Sequence, residues 1–101
     1  MEYDKLVRDR IPEIIRENGS TPTTHAASED EYWTKLKEKL GEEVGEFISS
    51  PTEEEIADIY EVIDAILKFK GFEYDRIKKI QMEKSQKRGA FEKRIILERT
   101  E

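Results

Sequence analysis

The sequence predicts an all-α fold: an antiparallel helical bundle of about four helices with a short extended C-terminal tail, the bundle being completed by a second chain. Three observations predict it. Apolar residues recur at helical spacing through two long stretches. Breaks at Asn18-Gly19-Ser20-Thr21-Pro22, Ser49-Ser50-Pro51, Lys70-Gly71 and Arg88-Gly89 divide the chain into four segments and a tail. The two longest segments are joined by a short link, which makes antiparallel neighbours. One such pair cannot close a core alone, and 101 residues bury only a modest one. Helices of a second copy would close it, as a dimer or a dimer of dimers. The whole chain, 1–101, reads as a single domain.

The first segment runs from about Lys5 to Asn18, with Leu6, Ile11, Ile14 and Ile15 on one face. Pro12 suits a helix start, so the residues before it are expected to be extended or kinked. The second runs from Ser28 to Ser49. Ser28 followed by Glu31 is a capping-box signature. Trp33, Leu36, Leu40, Val44, Phe47 and Ile48 form one apolar stripe, which is expected to be core. The third runs from Pro51 to Lys70, with Ser50 as the expected N-cap and Pro51 as the first helical residue. Its stripe is Ile56, Ile59, Tyr60, Ile63, Ile66 and Leu67, and Gly71 is the natural stop. The fourth runs from Glu73 to Arg88, with a weaker stripe of Tyr74, Ile77, Ile80 and Met82. The tail, Phe91 to Leu97, contains Ile95-Ile96-Leu97 and is expected to form a short strand.

Composition excludes several classes of function. Charged residues make up 42%, well above the usual quarter. The Lys and Glu bias fits surface ion-pair networks of the kind seen in heat-adapted proteins. The net charge of −6 argues against binding a nucleic-acid polymer, which needs excess positive charge. It leaves room for a nucleotide whose charge is met by a metal. With no cysteine there is no disulfide and no thiolate site. With one histidine, His25, one chain cannot build a multi-histidine zinc site. No apolar run approaches the ~20 residues of a membrane span. The N-terminus lacks the apolar core of a signal peptide, so a cytoplasmic location is expected.

The chemistry-bearing feature is acidic. The second segment carries Glu42, Glu43 and Glu46; the third carries Glu53, Glu54, Glu55, Asp58, Glu61 and Asp64. Acids three apart share one side of a helix and repel, and a divalent cation turns that repulsion into attraction. Mg²⁺ takes oxygen ligands and keeps waters that phosphates can displace. A rotation of about 100° per residue puts Glu43 at the edge of its apolar stripe, Glu46 next round and Glu42 further toward solvent. On the third segment it puts Glu55 at the stripe edge and Asp58 beside Val62 and Ala65, with Glu61 and Asp64 further out. Phase therefore selects Glu43, Glu46, Glu55 and Asp58, with Glu61 as second choice and Asp64 last. Acids in a first helical turn also complement the helix dipole, and helix faces are commonly charged. Spacing alone thus favours a solvated acidic face over a metal site.

Basic residues that could meet phosphate form two groups. Lys84, Lys87 and Arg88 share one face of the fourth segment, and Lys5, Arg8 and Arg10 cluster near the N-terminus. Arginine can grip phosphate bidentately, whereas lysine acts as a point charge. Helix-end dipole pairing and surface solvation are the plainer readings. Tyr32, Trp33, Tyr60 and Phe91 could stack on a base, though core packing is the expectation for each. His25, in a polar loop, is expected to be an ordinary surface residue.

The order Glu42-Glu43-x-x-Glu46, a short link and then Glu55-x-x-Asp58 resembles the EExxE…ExxD signature of the MazG-like nucleotide pyrophosphohydrolases. That superfamily includes the phosphoribosyl-ATP pyrophosphohydrolases and the all-α dimeric dUTPases. The opening Lys5-Leu6-Val7-Arg8-Asp9-Arg10-Ile11-Pro12 also resembles the start of small MazG-like proteins. So does Lys87-Arg88-Gly89-Ala90-Phe91-Glu92-Lys93-Arg94-Ile95 near the end. The likeness spans nearly the whole chain. There are two departures. The link between acidic pairs is short, and Glu61-x-x-Asp64 would give the more typical spacing. The tail reads Arg-Gly-Ala-Phe where relatives often have Arg-Gly-Gly-Phe.

The resemblance implies that these acids bind Mg²⁺, with Mn²⁺ as an alternative. It implies hydrolysis of a nucleoside triphosphate between its α and β phosphates, giving a monophosphate and pyrophosphate, in a housecleaning capacity. Phosphoribosyl-ATP and dUTP are alternative substrates. Glu43 and Glu46 are candidate bases toward the attacking water as well as candidate ligands, and the sequence leaves that choice open. A different class of protein, a helical interaction module that keeps the fold without catalysis, is the competing expectation.

Overall fold

The computed structural model describes residues 4–101, which form four helices and no strand. The all-α expectation holds. α1 spans Ile11–Glu17 and starts later than its apolar spacing suggests. Pro12 is the reason. A helix running through Lys5 would need an N–H at position 12 to reach the Arg8 carbonyl, and proline has none. That carbonyl instead accepts from Ile11 N at 3.0 Å, and residues 4–10 stay outside any helix.

α2 spans Glu29–Ser49 and α3 spans Glu53–Lys70. At the start of α2, Ser28 Oγ accepts from Glu31 N at 3.3 Å, the hydroxyl half of a capping box. The Glu31 carboxylate turns to His25, meeting Nε2 at 2.9 and 3.0 Å. His25 is thus exposed, as expected, yet it ties the preceding loop to the first turn of α2.

The N-cap of α3 is Thr52, not Ser50. Thr52 Oγ1 accepts from Glu55 N at 3.3 Å. Ser50 closes α2 instead, its N–H donating to Glu46 O at 2.8 Å. The cause is Pro51. A residue before proline is pushed toward extended geometry, which ends the helix behind it. The next hydroxyl along then caps the helix ahead. α3 stops at Gly71, whose φ of 71° and ψ of 26° are left-handed. Gly71 N donates to Lys68 O at 3.4 Å and Phe72 N to Leu67 O at 2.9 Å, the paired bonds of a Schellman motif.

α2 and α3 pack on each other as an antiparallel pair. Near their open ends Trp33 stacks on Phe69, centroids 5.9 Å apart, and Tyr32 meets the same ring edge-on at 5.2 Å. Lys70 lies over the Trp33 ring at 4.2 Å. Leu36 and Val62 are the buried apolar side chains among the described residues, and Leu36 alone is fully enclosed. The stripes are therefore only partly core. Val44, Ile48, Tyr60 and Ile63 remain exposed, because one helix pair covers one seam and leaves the outer part of each stripe bare.

α4 spans Tyr74–Arg88 and makes no comparable packing on another helix. Tyr74, Ile77 and Met82 are exposed on it. The tail beyond it forms a turn, Arg94 N to Phe91 O at 3.3 Å, and no strand. A strand needs a partner edge, and the described residues offer none. Phe91, Ile95, Ile96 and Leu97 all stand in solvent. The chain is accordingly long and thin, 59 × 31 × 26 Å. Its radius of gyration is 18.2 Å, against about 13 Å for a compact chain of this length. None of the described helices is long and apolar enough to cross a membrane.

Candidate metal centre

The acids gather near the link end of the α2–α3 pair. The antiparallel register that sets Trp33 against Phe69 brings Glu43 level with Asp58. Carboxylate oxygens of Glu43, Glu55 and Asp58 lie within 4.8 Å of one another. So do those of Glu42, Glu43 and Glu46. Glu43 belongs to both groups and is 6% exposed. Two oxygens bound to one Mg²⁺ sit about 3 to 4 Å apart, given bonds of about 2.1 Å, so small side-chain rotations would bring either group to coordinating distance.

The electrostatics of Glu43 are unusual for a helix-face acid. Lys39 Nζ reaches its Oε1 at 3.3 Å from one turn earlier. Its Oε2 is buried with no hydrogen-bond partner, and so is Oε2 of Glu55 on the facing helix. Burial pushes the Glu43 carboxyl above its usual range. The Lys39 hydrogen bond and charge oppose that rise, and the charges of Glu46 and Asp58 add to it. Two buried carboxylate oxygens without donors, on facing helices, are what a cation between them would satisfy.

Residues 4–10 lie across these acids like a strap. Lys35 Nζ donates to Asp4 O at 2.8 Å. Lys5 Nζ is 3.5 Å from Glu42 Oε1, and Arg8 Nη2 donates to Asp58 Oδ1 at 2.8 Å. Arg8 Nη1 also lies 3.9 Å from Glu61 Oε1.

The placement of the expected site residues is mixed. Glu43, Glu55 and Asp58 come together. Glu46 groups directly with Glu43 and Glu42 on its own helix, not with the α3 acids, and is exposed. Glu42 is more enclosed than helical phase indicates, because Lys5 and Lys39 both converge on its Oε1. Glu61 is exposed and engages Arg8, and Asp64 is exposed; neither falls in a cluster with Glu43. Of the basic residues, Lys5 and Arg8 reach the acids, and Arg10 pairs instead with Glu13 at 3.0 Å. Lys84, Lys87 and Arg88 are exposed on α4, which makes no comparable packing on the α2–α3 pair, and among the described residues no ion pair joins them to the acids. Tyr32 and Trp33 are packed as expected, whereas Tyr60 and Phe91 are 65% and 96% exposed rather than core. Lys39 escaped the sequence reading. Its signal was there, since it precedes Glu42 by three residues and Glu43 by four on one helix.

No family model matches the sequence, and no solved structure matches it. An uncharacterized protein of Mycolicibacterium smegmatis is 54% identical over 48 residues, which is 48% of this chain and 49% of that protein. The match spans about half the length of that relative, and its description carries no activity.

Proposed function

We propose that the chain is a Mg²⁺-dependent nucleotide pyrophosphohydrolase of the MazG-like kind, with Glu43, Glu55 and Asp58 as cation ligands and Glu42 and Glu46 alongside. The observation that carries this reading is the pair of buried, unpartnered oxygens, Glu43 Oε2 and Glu55 Oε2, within a carboxylate cluster drawn from two helices. Mn²⁺ would serve the same oxygen ligands. When bound, the cation would offset phosphate charge, orient the polyphosphate and make a water more acidic. The chain's own residues would do the rest. Glu46, exposed at the edge of the cluster, is the better placed of the two candidate bases, because Glu43 is enclosed and held by Lys39. Arg8 and Lys5 supply positive charge on the solvent side of the acids. Water adds across the bond between the α and β phosphates, releasing a nucleoside monophosphate and pyrophosphate. A housecleaning triphosphate substrate is the reading we favour, with phosphoribosyl-ATP as the alternative, and either goes with work in the cytoplasm.

A second copy of the chain completes this reading. The exposed apolar residues of α2, α3 and α4 and the extended shape leave a core to be closed, and helices of a partner would close it as a bundle. Such a partner could also bring Lys84, Lys87 and Arg88 to the acids.

The test is pyrophosphate release from a panel of nucleoside triphosphates with Mg²⁺. Turnover is expected for at least one, with Glu43→Gln and Asp58→Asn inactive but folded by circular dichroism. Folded wild-type protein that turns over none of them would sink the enzymatic reading. A helical interaction module is the second reading, favoured by the bare apolar residues of α4 and the tail. Folded protein that binds neither Mg²⁺ nor Mn²⁺ would support the module.

A further inference from the structure

The cluster is short of positive charge even with its own cations in place. Glu42, Glu43, Glu46, Glu55 and Asp58, five acids with Glu61 at their margin, face Lys5, Arg8 and Lys39. These three bases differ in how they are held. Lys39 projects from α2 itself, is 17% exposed and lies among the acids of its own helix. Arg8 comes from a segment with no helix of its own, is 55% exposed and reaches Asp58 from outside.

We propose that Arg8 is a phosphate-gripping residue held in reserve on Asp58, released to the substrate's polyphosphate when a divalent cation takes its place. The proposal rests on reading the acids as a cation site. A cation among Glu43, Glu55 and Asp58 would lie beside the guanidinium, and like charge weakens the hold of Asp58 on Arg8. The guanidinium cannot shed its charge and needs another anion. A polyphosphate approaching a cation at Asp58 is that anion, and its oxygens match the planar fork of an arginine bidentately. Arg8 then plays two parts in sequence. It competes with the cation while no nucleotide is present, and it assists the nucleotide once the cation is bound. Cation and polyphosphate binding are thereby coupled through one side chain, and the coupling is reciprocal.

The experiment is a calorimetric titration of Mn²⁺ into metal-free wild type, Arg8→Gln, Arg8→Lys and Glu43→Gln, first alone and then with inorganic tripolyphosphate titrated into the Mn²⁺-loaded protein. Without polyphosphate, Arg8→Gln should bind Mn²⁺ tighter than wild type by up to about fivefold, the span of a partly exposed ion pair. Tripolyphosphate should bind the loaded Arg8→Gln protein about tenfold weaker or more, the loss of a charged hydrogen bond. Arg8→Lys, which keeps the charge but not the fork, should recover the Mn²⁺ affinity of wild type and only part of its tripolyphosphate affinity. Unchanged or weaker Mn²⁺ binding by Arg8→Gln overturns the proposal while leaving the cation site standing, provided Glu43→Gln loses binding. Unchanged tripolyphosphate binding by Arg8→Gln also overturns it. Wild type that binds no Mn²⁺ at all overturns both the proposal and the site beneath it.

Discussion

Lys39 Nζ lies 3.3 Å from Glu43 Oε1, one helical turn further along α2, and this ammonium is the cation nearest the most enclosed acid of the cluster. The same nitrogen is 3.4 Å from Glu42 Oε1. A lysine so placed serves as an internal counter-ion, and it sets how much of the Glu43 charge is left for anything else to neutralise.

Lys39→Met removes that counter-ion and keeps the bulk of the stem. It should lower the free energy of unfolding by about 1–3 kcal/mol at neutral pH in chelator, the cost of leaving a buried charge without a partner. Mg²⁺ should restore more stability to the variant than it adds to wild type. Urea melts with and without Mg²⁺ measure both effects, and equal Mg²⁺ increments in the two proteins would refute the link.

The raised Glu43 carboxyl makes stability depend on pH in a definite direction. Burial lifts it above the usual 4.5, so the folded state holds the proton more tightly than the unfolded chain does. The stabilising contribution of that proton is fully present below 4.5 and is lost as pH rises through the higher folded-state value. Glu43→Gln cannot lose a proton there. In chelator it should be more stable than wild type at pH 7, and the gap should close on acidification. Denaturation at a series of pH values checks this, and a variant less stable than wild type at pH 7 contradicts it.

The capping of α3 gives a local test. Thr52→Ala deletes the hydroxyl that accepts from Glu55 N and should cost about 1 kcal/mol. Ser50→Ala should cost much less, because Ser50 serves α2 through its backbone N–H. Equal losses, or a larger loss at Ser50, would return the cap to Ser50.

Ile48 is 73% exposed on α2 and contributes little to the seam with α3. If a second copy covers this face, Ile48→Lys should leave the helix content of the chain intact and shift it from a dimer or larger assembly toward the 11.9 kDa monomer. Sedimentation equilibrium reads the mass. A monomeric wild type removes the partner from the proposal.

Much of the fold was legible because it is locally encoded. Ser28 with Glu31 and Gly71 act within a turn or two of chain, and each lies where its spacing placed it, whereas the stripe of α2 is core only along the seam with α3 and leaves Val44 and Ile48 exposed. Thr52 was missed because two hydroxyls compete within three residues, and Pro51 decides between them through the end of the preceding helix. Among the acids, helical phase put Glu43, Glu55 and Asp58 on the sides that meet, since phase is a property of one helix and the short link fixes how two helices face. It misjudged Glu42, whose cover comes from Lys5, 37 positions earlier in the sequence numbering. It also gave no sign that Arg8 would settle on Asp58. A strap laid across a helix pair is a non-local event with no period to read.

The link of residues 50–52 works as a spacer gauge. Because it is so short, acids a few residues to either side of it are forced abreast, Glu43 on α2 beside Glu55 and Asp58 on α3. Added length in a loop costs little in chain entropy, about 0.6 kcal/mol for each doubling. It would, however, let α3 slide and rotate against α2 and pull Glu55 and Asp58 out of step with Glu43. Inserting one or two glycines after Pro51 should therefore yield a protein that folds nearly as well yet, if the acids are the proposed cation site, binds Mn²⁺ more weakly than wild type in a calorimetric titration, separating the tolerance of the scaffold from the precision of the carboxylate cluster.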